Sequence, residues 1–342
     1  MATRNLVFSV ILLMVSLLFS LIVGEMGLRL MGYAGAPESV IGNIRQIDDP
    51  ILNWRFVPNS TVQDGKVVSH YNSAGFRDRE HDTAKPVGIT RIVVVGDSVT
   101  EGNGVGQDAL FVSHIQALLG SKYEIINLGM SGLNTPQEIH LLGVEGVKYE
   151  PDVVVVNFVL NDCDFFSKYQ GAERFQIEKD SKIGLFGDMV IDPQFKRWLK
   201  SSALIYLVKG RVEHLLGLVM GKEEKNYYAA LWDNPECRKR VSSGFDTLQK
   251  LQQQHRFAVH ILLWPLLVDY KHYEFSFIHE WVTQMAEQRG FKVLDLLLVY
   301  SSKWYRDLQV TAEDNVHPNG DGHKLAAKSY VEWSLSSVNA MN

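Results

Sequence analysis

With 342 residues, 46% of them apolar and 21% charged, the chain has the composition of a folded globular protein with room for one large α/β domain and additions, so intrinsic disorder is excluded as the default. A formal net charge of -5 without any sustained run of Lys or Arg leaves no electrostatic footprint for nucleic acid. The 11 histidines and 2 cysteines include no His-Glu-x-x-His and no zinc-type Cys/His spacing, so nothing visible calls for a metal or other cofactor.

The N-terminus departs from the rest. Leu6 to Val23 is apolar and uncharged, at the lower end of the length that spans a bilayer. No Ala-x-Ala-like site follows, so residues 1–24 read as an uncleaved signal anchor, with a cleaved secretory peptide as the competing reading. Arg4 precedes the run and Arg29 follows it, but the short N-terminal tail and its amine favour cytoplasmic retention. The body of the protein would then lie outside the cytoplasm. From Glu25 to about Thr90, turn formers such as Pro58-Asn-Ser, Asn72-Ser-Ala-Gly and Lys85-Pro-Val-Gly suggest a stalk that wraps onto the domain.

From Arg91 to the C-terminus, apolar runs alternate with longer amphipathic segments, the pattern of a parallel sheet with crossover helices. Strands are expected at Arg91–Val95, Tyr123–Asn127, Asp152–Phe158, Ala258–Trp264 and Lys292–Leu296. Helices are expected near Ala109–Leu119, Pro136–Val147, Glu236–His255, Phe275–Arg289 and Gly320–Leu335. Together they predict a three-layer α/β/α sandwich around a five-stranded sheet with right-handed connections.

The stretch from Asp164 to Asn234 is too long for an ordinary strand-to-helix connection and reads as an insertion. Within it, Phe195–Lys200 and Ala203–Met220 have the pattern of amphipathic helix. They would cap the active site or lie on the bilayer surface. Cys163 and Cys237 flank this insertion and permit at most one disulfide; buried unpaired thiols are the alternative.

The chemistry concentrates at the expected carboxyl ends of the strands, where open α/β sheets place their sites. Arg91-Ile-Val-Val-Val-Gly-Asp-Ser98 delivers one serine to such an end, and a serine needs a base to become a nucleophile. Asp314-Asn-Val-His317 supplies the base and a carboxylate that orients it, at a spacing that lets Asp314 accept from Nδ1–H and leaves Nε2 for Ser98. Oxyanion donors are available in the Ser98 N–H, in a glycine N–H of Asn127-Leu-Gly-Met-Ser-Gly132, and in the Asn161 side-chain amide. Either Gly129 or Gly132 could provide the glycine donor.

Blander roles go to several neighbours. Asp97 and Asp162 read as structural hydrogen-bonders, and Asp321 and His323 as parts of a helix start. Gly102-Asn-Gly-Val-Gly106 lacks the Lys-Ser/Thr ending of a phosphate loop. Trp54, Trp198, Trp232 and Trp304 could stack on sugars, although aromatic residues more often fill cores.

Taken together, Gly96-Asp97-Ser98, Gly132, Asn161-Asp162 and Asp314-x-x-His317 resemble the SGNH, or GDSL-type, hydrolase family in order and spacing. Val159 departs from the family's usual glycine two residues before the asparagine, and Gly132 fits the family spacing better than Gly129. The resemblance covers roughly Arg91 to the C-terminus and implies a flavodoxin-like fold. It also implies a Ser98, His317, Asp314 triad and an oxyanion hole formed by Ser98, Gly132 and Asn161.

The anchor, stalk and insertion resemble the layout of bacterial inner-membrane members facing the periplasm. That layout implies removal of O-acetyl or other short acyl groups from an envelope or exported polysaccharide. The same residues would serve an O-acyltransferase with a sugar hydroxyl acceptor, and a non-catalytic glycan-binding or assembly protein is the reading from another class.

Overall fold

The apolar runs form the strands of one parallel sheet. In a computed structural model of the chain, the described residues are 2–30, 43–65, 67–164, 202, 204–205, 207–208, 211, 225–312 and 314–339. The amphipathic segments expected at Phe195–Lys200 and Ala203–Met220 lie largely outside them, as does Trp198.

The strands, in chain order, are β1 (Ile44–Gln46), β2 (Trp54–Phe56), β3 (Thr61–Asp64), β4 (Val67–His70), β5 (Thr90–Gly96), β6 (Tyr123–Asn127), β7 (Val153–Phe158), β8 (Ala258–Leu263) and β9 (Lys292–Asp295). The main helices are α1 (Ala2–Leu30), α2 (Ser98–Glu101), α3 (Phe111–Leu119), α4 (Thr135–Val144), α5 (Lys225–Asp233), α6 (Pro235–His255), α7 (Ser276–Glu287), α8 (Leu297–Tyr300) and α9 (Gly320–Asn339).

Chain contacts divide the protein into two units, residues 1–40 with 173–224, and residues 41–172 with 225–342. In the first, α1 contains a 19-residue stretch, Leu12–Leu30, long and apolar enough to cross a membrane. Near its end Glu25 accepts hydrogen bonds from Ser202 Oγ at 2.8 Å and the Leu204 N–H at 2.9 Å.

The second unit holds the five-stranded sheet in the order β6-β5-β7-β8-β9, every neighbour parallel. This is the doubly wound order whose switch point lies between β5 and its two neighbours. Alternation along the strands divides the interior in two, as the period-2 geometry of a strand requires. Val93, Val95, Val154 and Val156 face one core with Ile139, Val241, Phe245, Ile278 and Val282 from α4, α6 and α7. Ile92, Val94 and Val155 face the other with Phe111, Ile115, Ala327 and Tyr330 from α3 and α9. Helices thus cover both faces, which is why these strands are nearly continuous apolar runs.

Residues 43–90 add two antiparallel hairpins, β1–β2 and β3–β4. Leu52, Trp54 and Phe56 are buried in the first core. Arg91, with no exposed surface, gathers the chain that enters the sheet: it donates to the carbonyls of Asp82, Thr83, Ala84 and Tyr149 and pairs with Glu124.

Cys163 and Cys237 form a disulfide that joins the loop after β7 to the start of α6, with a Cα–Cα distance of 4.9 Å. Both cysteines are completely buried. Trp54 and Trp232 are interior, at 3% and 0% exposure, so neither is a surface for a sugar to stack on. Trp304 stays 60% exposed.

Candidate active site

Ser98 sits where β5 ends and α2 begins. Gly96 closes the strand, and Asp97, fully buried, caps the short helix by accepting the Val99 N–H at 2.9 Å. This turn leaves Ser98 as the first helical residue, its hydroxyl at the carboxyl edge of the sheet.

The base arrives from the far end of the chain. The segment after α8 returns as a bridge between Gln309 and Pro318, with the Val310 N–H on the His317 carbonyl at 3.1 Å. The Leu267 N–H, from the loop after β8, holds the Asn315 carbonyl at 2.7 Å. His317 Nε2 lies 2.8 Å from Ser98 Oγ, and Nδ1 lies 2.8 Å from Asp314 Oδ2.

The spacing of Asp314 and His317 has a local cause. Asp314 Oδ1 accepts the backbone N–H groups of Val316 at 3.0 Å and His317 at 2.8 Å, so one carboxylate builds the turn with one oxygen and orients the imidazole with the other. Burial alone would raise its pKa. The bonds and charge from His317, with the two backbone donors, outweigh that and hold it below the ordinary carboxylate range. The Nδ1 contact with an ionised acceptor assigns the proton to Nδ1 and leaves Nε2 to accept from the Ser98 hydroxyl.

β6 and β7 flank β5 in the sheet, so the loops that follow them leave it at the same carboxyl edge as Ser98. In the loop after β6 the amides are committed one by one: Leu128 to the Val94 carbonyl, Gly129 to Asn127 Oδ1, Met130 to the Gly96 carbonyl, Ser131 to Glu101 Oε2 and Leu133 to the Met130 carbonyl. Gly132, at φ 80°, is the residue of this loop whose N–H has no acceptor among the described residues. Gly129 serves another purpose. A Cβ there would stand 2.3 Å from the Glu101 nitrogen, so its lack of a side chain lets the loop lie flush on α2.

After β7, Asn161 Nδ2 donates to Asp97 Oδ2 at 3.0 Å, so the side-chain amide is tied to the residue that caps α2. The second hydrogen on Nδ2 remains for another acceptor. Asp162 accepts the Val159 N–H at 2.8 Å and shapes the turn without the glycine usual at position 159.

Sequence reasoning did not single out Glu101, Glu138 or Arg77. All three are buried, and in one isolated sequence nothing distinguishes them from surface charges. Glu138 is wholly buried, with neither carboxyl oxygen hydrogen-bonded among the described residues. Burial first, and then the charge of Asp97, push its pKa well above the ordinary carboxylate value; Asp162 is raised by burial and by the charges of Glu138 and Asp97. His323 is buried and neutral: its Nδ1 accepts the Phe111 N–H at 3.1 Å, and burial pushes its pKa down to about 3.

The GDSL-like lipase/acylhydrolase family model matches residues 94–325, a span holding Ser98, Gly132, Asn161, Asp314 and His317. The chain belongs to this family. It is an ester-bond hydrolase with the family's α/β/α fold.

Among solved structures it is similar to a lipolytic protein of the G-D-S-L family from Desulfitobacterium hafniense, with 12% identity, TM-score 0.41, and coverage of 70% of this chain and 96% of the other. A psychrotrophic esterase from Pseudoalteromonas sp. matches at 16% identity and TM-score 0.41, covering 73% and 99%. A carbohydrate acetylesterase family member from Sinorhizobium meliloti matches at 11% identity and TM-score 0.39, covering 70% and 94%. No curated protein matches the chain in sequence.

Proposed function

We propose that this hydrolase acts through a Ser98, His317, Asp314 triad. The observation that carries the reading is His317 standing between Ser98 Oγ and Asp314 Oδ2, with a 2.8 Å hydrogen bond to each. As Ser98 Oγ attacks the ester carbonyl, its proton passes to Nε2, and Asp314 stabilises the imidazolium.

The tetrahedral oxyanion is held by the N–H groups of Ser98 and Gly132 and by Asn161 Nδ2. Collapse breaks the ester C–O bond, and His317 returns the proton to the departing alkoxide. Water, deprotonated by His317, then cleaves the acyl-enzyme, releasing the carboxylic acid and restoring Ser98.

The substrate we propose is an O-acetyl or similarly short acyl ester on a cell-envelope or exported glycan. The protein would sit in the bacterial inner membrane through residues 1–24, with residues 25–90 as stalk and extension and residues 91–342 as the periplasmic hydrolase. Two features support this placement: the apolar α1 and a disulfide suited to an oxidising compartment.

The test is hydrolysis of p-nitrophenyl acetate, butyrate and longer esters, and of an O-acetylated polysaccharide, by the full-length chain in detergent beside Ser98→Ala and His317→Ala. Turnover on short esters and acetate release, both lost in the two variants, is the expected result. Activity confined to long-chain esters sinks the glycan assignment, and turnover retained in Ser98→Ala sinks the triad. Acyl transfer to an added glycan in place of hydrolysis would move the assignment to an acyltransferase.

A further inference from the structure

Glu101 is a buried acidic side chain that the chemistry above does not use. It lies three residues after Ser98, at the last position of α2, with 4% exposure. One oxygen, Oε1, accepts the Tyr71 hydroxyl at 2.5 Å; the other, Oε2, accepts the Ser131 N–H at 2.9 Å and also the Ser131 hydroxyl. Arg77, the neighbouring buried cation, spends its guanidinium on the carbonyls of Glu101, Gly102 and Val105.

Burying a carboxylate is costly unless hydrogen bonds compensate, and here both bonds to Oε2 come from the single residue before Gly132. The direction of the Gly132 N–H is set by the Ser131–Gly132 peptide, whose first residue is thereby clamped through main chain and side chain alike. Gly129, packed flush against the Glu101 backbone, brings the same loop to the same helix.

From this geometry we infer that Glu101 is a positioning residue that ties the Gly132 oxyanion donor to the helix bearing Ser98. Nucleophile and donor are then referenced to one four-residue helix, and the distance between them is held by Glu101. The inference rests on the proposed triad and oxyanion hole. Burial raises the Glu101 pKa above the ordinary carboxylate value despite the opposing bonds from Ser131 and Tyr71 and the charge of Arg77; its two oxygens nonetheless stand as acceptors for Tyr71 and Ser131.

The experiment compares Glu101→Ala, Glu101→Gln and Ser131→Ala in the full-length chain. It reads kcat and KM on p-nitrophenyl acetate, affinity for an alkylboronic acid that mimics the tetrahedral oxyanion, and thermal unfolding. Glu101→Ala should lose kcat on the order of 100-fold, the cost of a donor displaced by about an ångström, with KM little changed. Boronate affinity should fall in step. Glu101→Gln keeps an oxygen for Ser131 and an N–H for Tyr71 Oη, and should recover most of the loss.

Ser131→Ala leaves the carboxylate two partners, so it guards against misfolding of Glu101→Ala. It should show a smaller loss with the same signature. A folded Glu101→Ala with parental kcat, a kcat loss without loss of boronate affinity, or a Ser131→Ala indistinguishable from the parent would each overturn the inference. Turnover surviving in Ser98→Ala would instead remove the triad reading on which it rests.

Discussion

Breaking the Cys163–Cys237 bond offers the sharpest quantitative test of how the loop after β7 is held. The bond joins residues 74 apart in sequence, and loop-closure entropy for a loop of that size gives about 4.5 kcal/mol at room temperature. Domains are stable by only about 5–15 kcal/mol, so reduction should remove a large share of the total. The unfolded chain should also expand, raising the denaturant slope m.

Trp232 reports on the joint directly, since its indole N–H donates to the Leu160 carbonyl at 2.8 Å and its ring packs on Phe158. The assay is urea unfolding by tryptophan fluorescence of the oxidised chain, the reduced chain and Cys163→Ala/Cys237→Ala, all in the same detergent. The expected outcome is two destabilised forms with similar midpoints. A difference between oxidised and reduced chain below about 1 kcal/mol, at unchanged m, would refute the chain-entropy reasoning.

Replacing Asp314 by Asn removes the ionised acceptor at Nδ1 and favours the wrong imidazole tautomer; kcat should fall about 10⁴-fold with KM little changed, measured by steady-state kinetics. Because Asp314 is held below the ordinary carboxylate range, it stays ionised from that range upward. A kcat profile of the parent that fell only below pH 4 would point to Asp314, and not His317, as the group setting the acid limb.

Glu138→Gln should stabilise the fold, and more strongly at pH 8 than at pH 5. Its folded pKa is raised, so the unfolded chain ionises first, and stability falls as pH rises from the ordinary carboxylate value toward the folded one. Thermal unfolding at both pH values reads this, and an equal shift at each would contradict it. Gly129→Ala, whose Cβ would meet the Glu101 nitrogen at 2.3 Å, should depress both melting temperature and kcat; an unperturbed variant would mean the loop does not rest on α2.

The five strands of the parallel sheet were legible as short runs rich in apolar residues because helices cover both faces of that sheet, and the boundaries of β5, β6 and β9 agree with expectation to within a residue or so; the short hairpin strands β1–β4, with β3 and β4 largely exposed, carry no such run. Helix starts were legible where capping residues are local, as at Asn134-Thr-Pro-Gln137, where both halves of a capping box form. The candidate site was legible as residue types at strand ends, Ser98, Asn161, Asp314 and His317. The helix after Leu128 begins one residue earlier than expected and ends at Val144, with a 3₁₀ turn continuing from Gly146 to Tyr149.

The sequence by itself therefore determined the α/β architecture, the order of the strands along the chain, and the chemistry available at their carboxyl ends. These follow from local periodicity and from short-range turn and cap chemistry. Only the tertiary structure decided which glycine amide stays uncommitted, that the two cysteines meet, that Trp54 and Trp232 are interior, and that Glu101 grips Ser131. Each depends on contacts between segments distant in sequence, where an isolated Glu, Gly, Cys or Trp looks the same whether buried or exposed.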